Sequence, residues 1–215
     1  MNKKRIIWLV PVLVMVLAMS ACKSDDDDGE EELPLKGQVW TIDLSGTYEA
    51  YMGSKLLISS PVGTGSIIDG QLSYKVGKPN QTSLVPMGTF LISINDKFKI
   101  FSDAEWSPST PIPNVVEFTF SSENLRKAYT ISDATSLTEE TVRYIYVDRD
   151  CTLTTATSKP GTAIPGVLVP VTVQALDLKL KKGWNAINSK LVVTSTGGTA
   201  SIIKGDSDKC LWILD

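Results

Sequence analysis

Histidine is absent from this chain of 215 residues. Its absence excludes a Ser-His-Asp triad, a Cys-His pair and any zinc or iron site built on imidazole. The chain also lacks the G-x-S-x-G motif of many hydrolases and a complete glycine-rich phosphate loop. We therefore expect a protein that is not an enzyme and that carries no metal and no cofactor.

Clustered basic residues are lacking as well. The chain has 21 Lys+Arg and 24 Asp+Glu, of which residues 1–32 hold four basic and seven acidic residues. This leaves 17 of each sign in residues 33–215, so that part of the chain is formally neutral. Nucleic-acid binding needs clustered Lys and Arg to neutralise phosphates. We expect no nucleic-acid partner.

The N-terminal apolar run, residues 6–18, is shorter than the roughly 20 residues that a membrane-spanning helix needs. Basic residues 3–5 precede the run, and the small residues Ser20 and Ala21 follow it directly before Cys22. A basic start, a short apolar run and small residues in this order are typical of a signal peptide. We predict that residues 1–21 are a signal peptide.

The sequence around Cys22 resembles the lipobox of bacterial lipoproteins, with Met19 where that pattern more often has leucine. The resemblance implies that Cys22 becomes the N-terminus after cleavage and is acylated, for example with palmitate. Two or three acyl chains on one residue anchor a protein stably, whereas one chain is marginal. The membrane is then a partner through the lipid at Cys22. The alternative is an ordinary secretory signal followed by a chance cysteine.

Acidic residues follow the cysteine, with seven Asp or Glu among the eight residues 25–32. Such a run repels itself and buries no apolar area, so we predict a disordered, extended tether over residues 22–35. Residues 24–28 resemble the Ser-Asp-rich export signal of Bacteroidota lipoproteins. The resemblance implies an outer-membrane location facing the extracellular side. A plain solvated spacer is the alternative.

Only three cysteines occur in the chain. With Cys22 assigned to lipid, Cys151 and Cys210 remain, and outside the cytoplasm they would be free to form a disulfide. The alternative is two buried free thiols, since free cysteine is among the most buried residue types.

Residues 36–215 predict one all-β domain, because short runs of alternating or β-rich residues follow one another with turn signals between them. Asp69-Gly70 and Asn95-Asp96 each separate two such runs and indicate hairpins. Proline-rich stretches at residues 106–114 and 159–166 suit chain segments that cross between sheets. We therefore expect an immunoglobulin-like or transthyretin-like β-sandwich. A calycin-like up-and-down barrel is the alternative, because several neighbouring strands resemble simple hairpins.

Trp106 is the aromatic residue most suited to a ligand, because it stands at the head of a proline-rich stretch where deep burial is harder. An exposed indole there would stack on a sugar face. The other interpretation is that Trp106 closes one end of the sandwich. For the remaining tryptophans in alternating strands we expect core packing: Trp40, Trp184 and Trp212.

Two D-x-D pairs, Asp148/Asp150 and Asp206/Asp208, have a spacing that can supply oxygen ligands to Ca²⁺. Neither pair continues into a complete calcium loop, and acidic turns are common because aspartate bonds the nearby backbone. We expect no metal at either pair.

These features predict a lipid-anchored binding module on the cell surface, for a glycan or a host ligand. The alternative is a structural or adhesive component that joins a surface protein partner through a sheet edge or its C-terminal strand.

Overall fold

The computed structural model describes residues 32–43, 45–60, 62–86, 105–107, 113–118, 125–163 and 166–214. The predicted signal peptide, Cys22 and the hairpin expected around Asn95-Asp96 lie outside these residues. Among the residues described, no helix is long and apolar enough to cross a membrane.

The described residues form seventeen strands and one short 3-10 turn, Gln81–Ser83, so the prediction of an all-β fold is confirmed. In chain order the strands are β1 (Leu33–Ile42), β2 (Tyr48–Ala50), β3 (Leu56–Ser60), β4 (Gly63–Ile68), β5 (Gln71–Val76), β6 (Val85–Pro86), β7 (Glu105–Ser107), β8 (Asn114–Glu117), β9 (Leu125–Ser132), β10 (Ser136–Val147), β11 (Cys151–Thr154), β12 (Lys159–Thr162), β13 (Val171–Val173), β14 (Asp177–Leu180), β15 (Gly183–Thr194), β16 (Gly198–Lys204) and β17 (Leu211–Leu214).

One large sheet follows the order β12-β13-β16-β15-β10-β9-β17-β1-β5-β4-β3, and a small sheet follows β14-β11-β7. The large sheet runs from one end strand to the other without returning to its start. The described strands therefore form no closed barrel, and the up-and-down alternative is wrong. The arrangement is sandwich-like, since parts of the sheet pack face to face over buried residues.

Strands β10 and β15 form the middle of the fold, and over part of their length they are covered on both faces. Their twelve-residue antiparallel pairing puts alternate residues on opposite sides. On one side, the buried residues Ile145, Val147 and Ile187 pack with buried residues of the small sheet and of strands β13 and β16. We call this cluster core A. On the other side, the buried residues Val142, Tyr144, Tyr146 and Trp184 pack with those of β1, β3, β4, β5 and β17; we call this cluster core B.

Strand β1 bends so that its two halves join different parts of the large sheet. Residues 33–38 pair with β5, whereas Val39 and Trp40 pair with the C-terminal strand β17. Gly37 lies at the bend with φ of 145°, and a Cβ there would stand 3.0 Å from Trp212 Cδ1. The Trp212 indole N–H donates to the Lys36 carbonyl at 3.1 Å. A residue without a side chain at position 37 therefore lets the ring lie against the bend.

The folded part begins earlier than the sequence indicated. Strand β1 starts at Leu33, and Leu35 is buried in core B, although we had assigned residues 33–35 to the tether. Leu33 and Leu35 pair with Val76 and Tyr74 and both face core B. Because alternate residues of a strand point to the same side, packing of these two leucines favours a strand that begins at Leu33.

The two turn predictions within described residues had different outcomes. Asp69 and Gly70 have positive φ, of 49° and 75°, as a two-residue hairpin turn of this type requires, so that prediction is confirmed. By contrast, the proline-rich stretch 159–166, which we expect to cross between sheets, begins with strand β12, whose pairing with β13 shifts register. Strand β12 ends the large sheet, and an end strand tolerates the missing N–H of Pro160.

Candidate functional site

Trp106 does not lie in a loop. It is the middle residue of strand β7, and it pairs with Leu153 of β11 in the small sheet. The proline-rich stretch therefore does not begin as an unpaired segment at Trp106, because residues 105–107 pair with β11 before the prolines begin. Trp184 and Trp212 are both buried in core B, as expected, and Trp40 is half-buried outside both cores.

Cys151 and Cys210 are both buried free thiols, so the structure contains the second of the two predicted alternatives and not the disulfide. Cys151 belongs to core A and Cys210 to core B, which lie on opposite faces of the central strands. Burial, together with the charges of Asp148 and Asp150, raises the pKa of Cys151 to about 11. Burial also raises the pKa of Cys210. Both thiols are therefore protonated at neutral pH and poor nucleophiles.

The aspartates of the D-x-D pairs bind protein donors. Asp148 accepts hydrogen bonds from Asn114 and Arg149, and Asp150 accepts from the backbone N–H of Lys182 at 2.8 Å. Asp206 contacts Lys127 and Tyr144, while Asp208 is exposed. No group of three or more Cys, Asp or Glu residues suited to a metal occurs in the part of the chain that is described.

A polar cluster lies on the core B side of the central strands, where the loop between β16 and β17 covers them. Glu140 of β10 and Asn188 of β15 are its centre, with only 4% and 6% of their surfaces exposed. Asn188 Nδ2 donates to Glu140 Oε1 at 2.8 Å, and Lys190 Nζ lies 3.6 Å from Glu140 Oε2. Ser207 of the loop also hydrogen bonds to Glu140. These residues form what we call the Glu140 cluster.

The Glu140 cluster holds its carboxylate in the charged form. Burial by itself raises the pKa of Glu140, but hydrogen bonds from Ser207 and Asn188 and the charge of Lys190 outweigh it, and the pKa is lowered. A charged, fully bonded carboxylate of this kind orients its neighbours and is not prepared to act as a general acid or base near neutral pH.

A second charged group adjoins the cluster through the same loop. Tyr144 Oη donates to Asp206 Oδ2 at 3.0 Å, and Lys127 pairs with the other oxygen of Asp206. The Tyr144 and Trp212 rings stack with centroids 6.1 Å apart, and Lys127 Nζ lies 5.8 Å from the centre of the Trp212 ring. Burial, then the charge of Asp206, raises the pKa of Tyr144, so its hydroxyl stays a donor.

One buried atom in the Glu140 cluster has no hydrogen-bond partner. Asn188 Oδ1 is the single such side-chain atom among the residues that the structure describes. An unpaired buried acceptor costs about 1–3 kcal/mol. Unpaired groups of this kind call for an explanation such as a bound water or ligand.

The sheet face beside the cluster is only partly covered. The register of β9, β10, β15 and β16 puts alternate residues of these strands on the same side of the sheet as Glu140 and Asn188. Ile131 and Ile203 on this side are 48% and 58% exposed. We call this surface the open face, and it consists of Ile131, Thr138, Lys190, Val192, Ser201 and Ile203.

Comparison with known proteins adds no family and no fold relative. No family model, no curated protein and no solved structure matches this chain.

The sequence did not indicate the Glu140 cluster. The sequence drew attention to Asp206 as part of a D-x-D pair, at which we expect no metal, and to Cys210 as a candidate for a disulfide, but it pointed to neither Glu140 nor Asn188. A usable signal was the presence of Asn185 and Asn188 inside a β-rich run, GWNAINSKLVV, where polar residues must be satisfied if they are buried.

Proposed function

We propose that this chain is a lipid-anchored binding module on the outer face of the outer membrane, and that its open face takes a glycan. The proposal rests for its location on residues 1–32, and for its ligand on one structural observation. That observation is the buried acceptor Asn188 Oδ1 without a donor, next to a partly exposed face that carries both apolar and hydroxyl side chains. Sugars offer apolar C–H surfaces and hydroxyl donors together, which matches such a face.

The position of the tether supports this assignment. Leu33, where the tether joins, pairs with Val76, and the next residue, Gly77, accepts a hydrogen bond from the Trp184 indole. Trp184 lies near the Gly183 end of β15, whereas the open face lies toward its Thr194 end. A tether attached at the first end leaves the open face pointing away from the membrane.

A structural or adhesive role is the second candidate. Strand β17 pairs with β1 on one side and β9 on the other, so the C-terminal strand is not available to a partner. The order of described strands in the large sheet ends at β3, where Leu57 is exposed. An added strand from a partner would pair there.

Replacing Cys22 tests the anchor. We expect the wild-type chain to incorporate labelled palmitate and to be degraded by protease added to intact cells. Cys22→Ala should lose both the label and the membrane association, because no other acylation site is proposed. Cys151→Ala serves as the matched control and should keep the label. A wild-type chain that takes up no label would contradict the lipoprotein assignment.

A glycan screen of the full chain in detergent tests the ligand. We expect Ile203→Glu and Ile131→Glu to weaken binding at least about tenfold, because each puts a charge on the open face. Leu168→Glu is the control, since Leu168 is exposed elsewhere. Trp106→Ala tests the alternative that Trp106 stacks on the sugar. Loss of binding in that variant alone would place the ligand at β7. Absence of any binding by the wild-type chain would favour the structural role.

A further inference from the structure

The orientation of the Asn188 amide is fixed by its neighbour. Glu140 can only accept hydrogen bonds as a carboxylate, so the amide nitrogen of Asn188 must face it, as the 2.8 Å contact has it. The amide oxygen is then turned away from Glu140, and no described donor reaches it. Flipping the amide would place Asn188 Oδ1 against the Glu140 carboxylate, two acceptors in contact, and so would not satisfy the amide oxygen.

Asn185, on the same strand, shows that a buried asparagine in β15 can be fully satisfied. Its side chain accepts from the Lys181 N–H at 3.0 Å and donates to the carbonyls of Lys181 and Gly183 at 2.7 and 2.9 Å. It is 4% exposed, similar to the 6% of Asn188. The unpaired oxygen of Asn188 is therefore a local property of the Glu140 cluster and not of the strand.

The charges around Asn188 indicate what kind of donor is missing. Glu140 is paired with Lys190, and Asp206 is paired with Lys127, so two carboxylates face two ammonium groups. A cationic donor would add an uncompensated charge to a site that is nine-tenths buried, which is costly. A neutral hydroxyl brings a donor without a charge.

We propose that Asn188 Oδ1 marks a subsite for one neutral hydroxyl group, at the border between the Glu140 cluster and the open face. The hydroxyl comes either from a sugar bound on the open face, in which case the inference rests on the proposed function, or from a buried water. Asn188 accepts the O–H proton in both cases. Lys190 and Ser201 of the open face are the next pair on the same side of the sheet, because register pairs them with each other two positions along from the Asn188–Ile203 pair.

The first measurement uses the wild-type full chain in detergent and needs no ligand. A high-resolution crystal structure, or water-to-amide cross-relaxation at the Asn188 side chain, should detect a water bonded to Oδ1. An Oδ1 bonded instead to Cys210, or to any other protein donor, would overturn the proposal. So would an Oδ1 left without any donor in both the free and the sugar-containing chain.

The second measurement adds the sugar found by glycan screening. If the hydroxyl is the ligand's, the water signal should disappear on binding, and Asn188→Leu should weaken binding about tenfold, as expected for one lost hydrogen bond to a buried acceptor. Because Asn188→Leu deprives Glu140 of a donor, Glu140→Met/Asn188→Leu provides a second variant without the orphaned carboxylate. Asn185→Leu is the control, expected to lower stability while sugar binding persists.

The outcomes separate this inference from the proposed function. A bound water at Oδ1 together with no glycan binding supports the subsite and removes the glycan proposal. Glycan binding that both Asn188 variants leave unchanged, in a chain without a water at Oδ1, removes the subsite and leaves the glycan proposal intact.

Discussion

Single polar side chains stabilise this fold where strands meet turns. Asp148, at the end of β10, accepts from the backbone N–H and the side chain of Asn114 and from Arg149. Burial alone raises the pKa of Asp148, but these bonds lower it to about 2. The carboxylate thus ties the start of β8 to the end of β10, where Val147 pairs with Val115.

The pH dependence of Asp148 follows from the direction of that shift. Its folded-state pKa of about 2 lies below the ordinary 3.8, so the charged form stabilises the fold above about pH 4, and the contribution is lost as the pH falls toward 2. The shift corresponds to about 2 kcal/mol.

We expect the unfolding free energy of Asp148→Asn to be about 2 kcal/mol below that of the wild type at pH 6, with the difference vanishing near pH 2. Urea titrations at several pH values measure this, and Asp208→Asn, at an exposed aspartate, should differ little from the wild type. A difference that persists unchanged at pH 2 would mean that the carboxylate is not the cause.

At the scale of elements, the bend in β1 determines how the large sheet changes direction. Residues 33–38 pair with β5, Val39 and Trp40 pair with β17, and Gly37 is the next-to-last residue paired with β5. A side chain at position 37 would need φ of 145° and would meet the Trp212 ring. Both effects oppose any residue other than glycine.

Gly37→Ala should therefore lower the unfolding free energy by about 1–3 kcal/mol, through backbone strain and displacement of Trp212. Chemical denaturation followed by tryptophan fluorescence reports both effects. Gly197→Ala is the matched control, because its Cβ would meet nothing closer than the Pro170 carbonyl at 3.4 Å; we expect a change within about 0.5 kcal/mol. Equal effects of the two substitutions would contradict the role of the bend.

For the whole molecule, the defining feature is a central pair of strands with a separate core on each face. Core A and core B each contain one cysteine, so the sheet itself stands between Cys151 and Cys210. The core to which each cysteine belongs depends on strands far apart in the chain. The number of cysteines alone therefore could not decide whether Cys151 and Cys210 are bridged.

Thiol labelling in a Cys22→Ser background measures this arrangement. We expect no alkylation of the folded chain and two adducts per chain in denaturant without reductant, because both thiols are free and buried. Leu168→Cys in the same background should label in the folded state, since that position is exposed. Adducts that appear in denaturant only after reduction would indicate a disulfide.

The sequence by itself determined the all-β class, the Asp69-Gly70 turn and the neutral composition of residues 33–215, because each follows from local pattern or from counting. Alternation with a period of two predicts a strand wherever it occurs. It does not specify the partner of that strand, and so the immunoglobulin-like and barrel topologies were both open.

Only the tertiary structure decided which residues meet. Glu140 and Asn188 are 48 positions apart and meet through the register of β10 and β15, whereas Lys127 and Asp206 are 79 apart and meet because the loop between β16 and β17 lies against β9. Strand pairing also placed Trp106 opposite Leu153 and the two thiols in different cores. The physical reason is that strand pairing is chosen by the total apolar area buried across the molecule, a sum that no local segment of the chain contains.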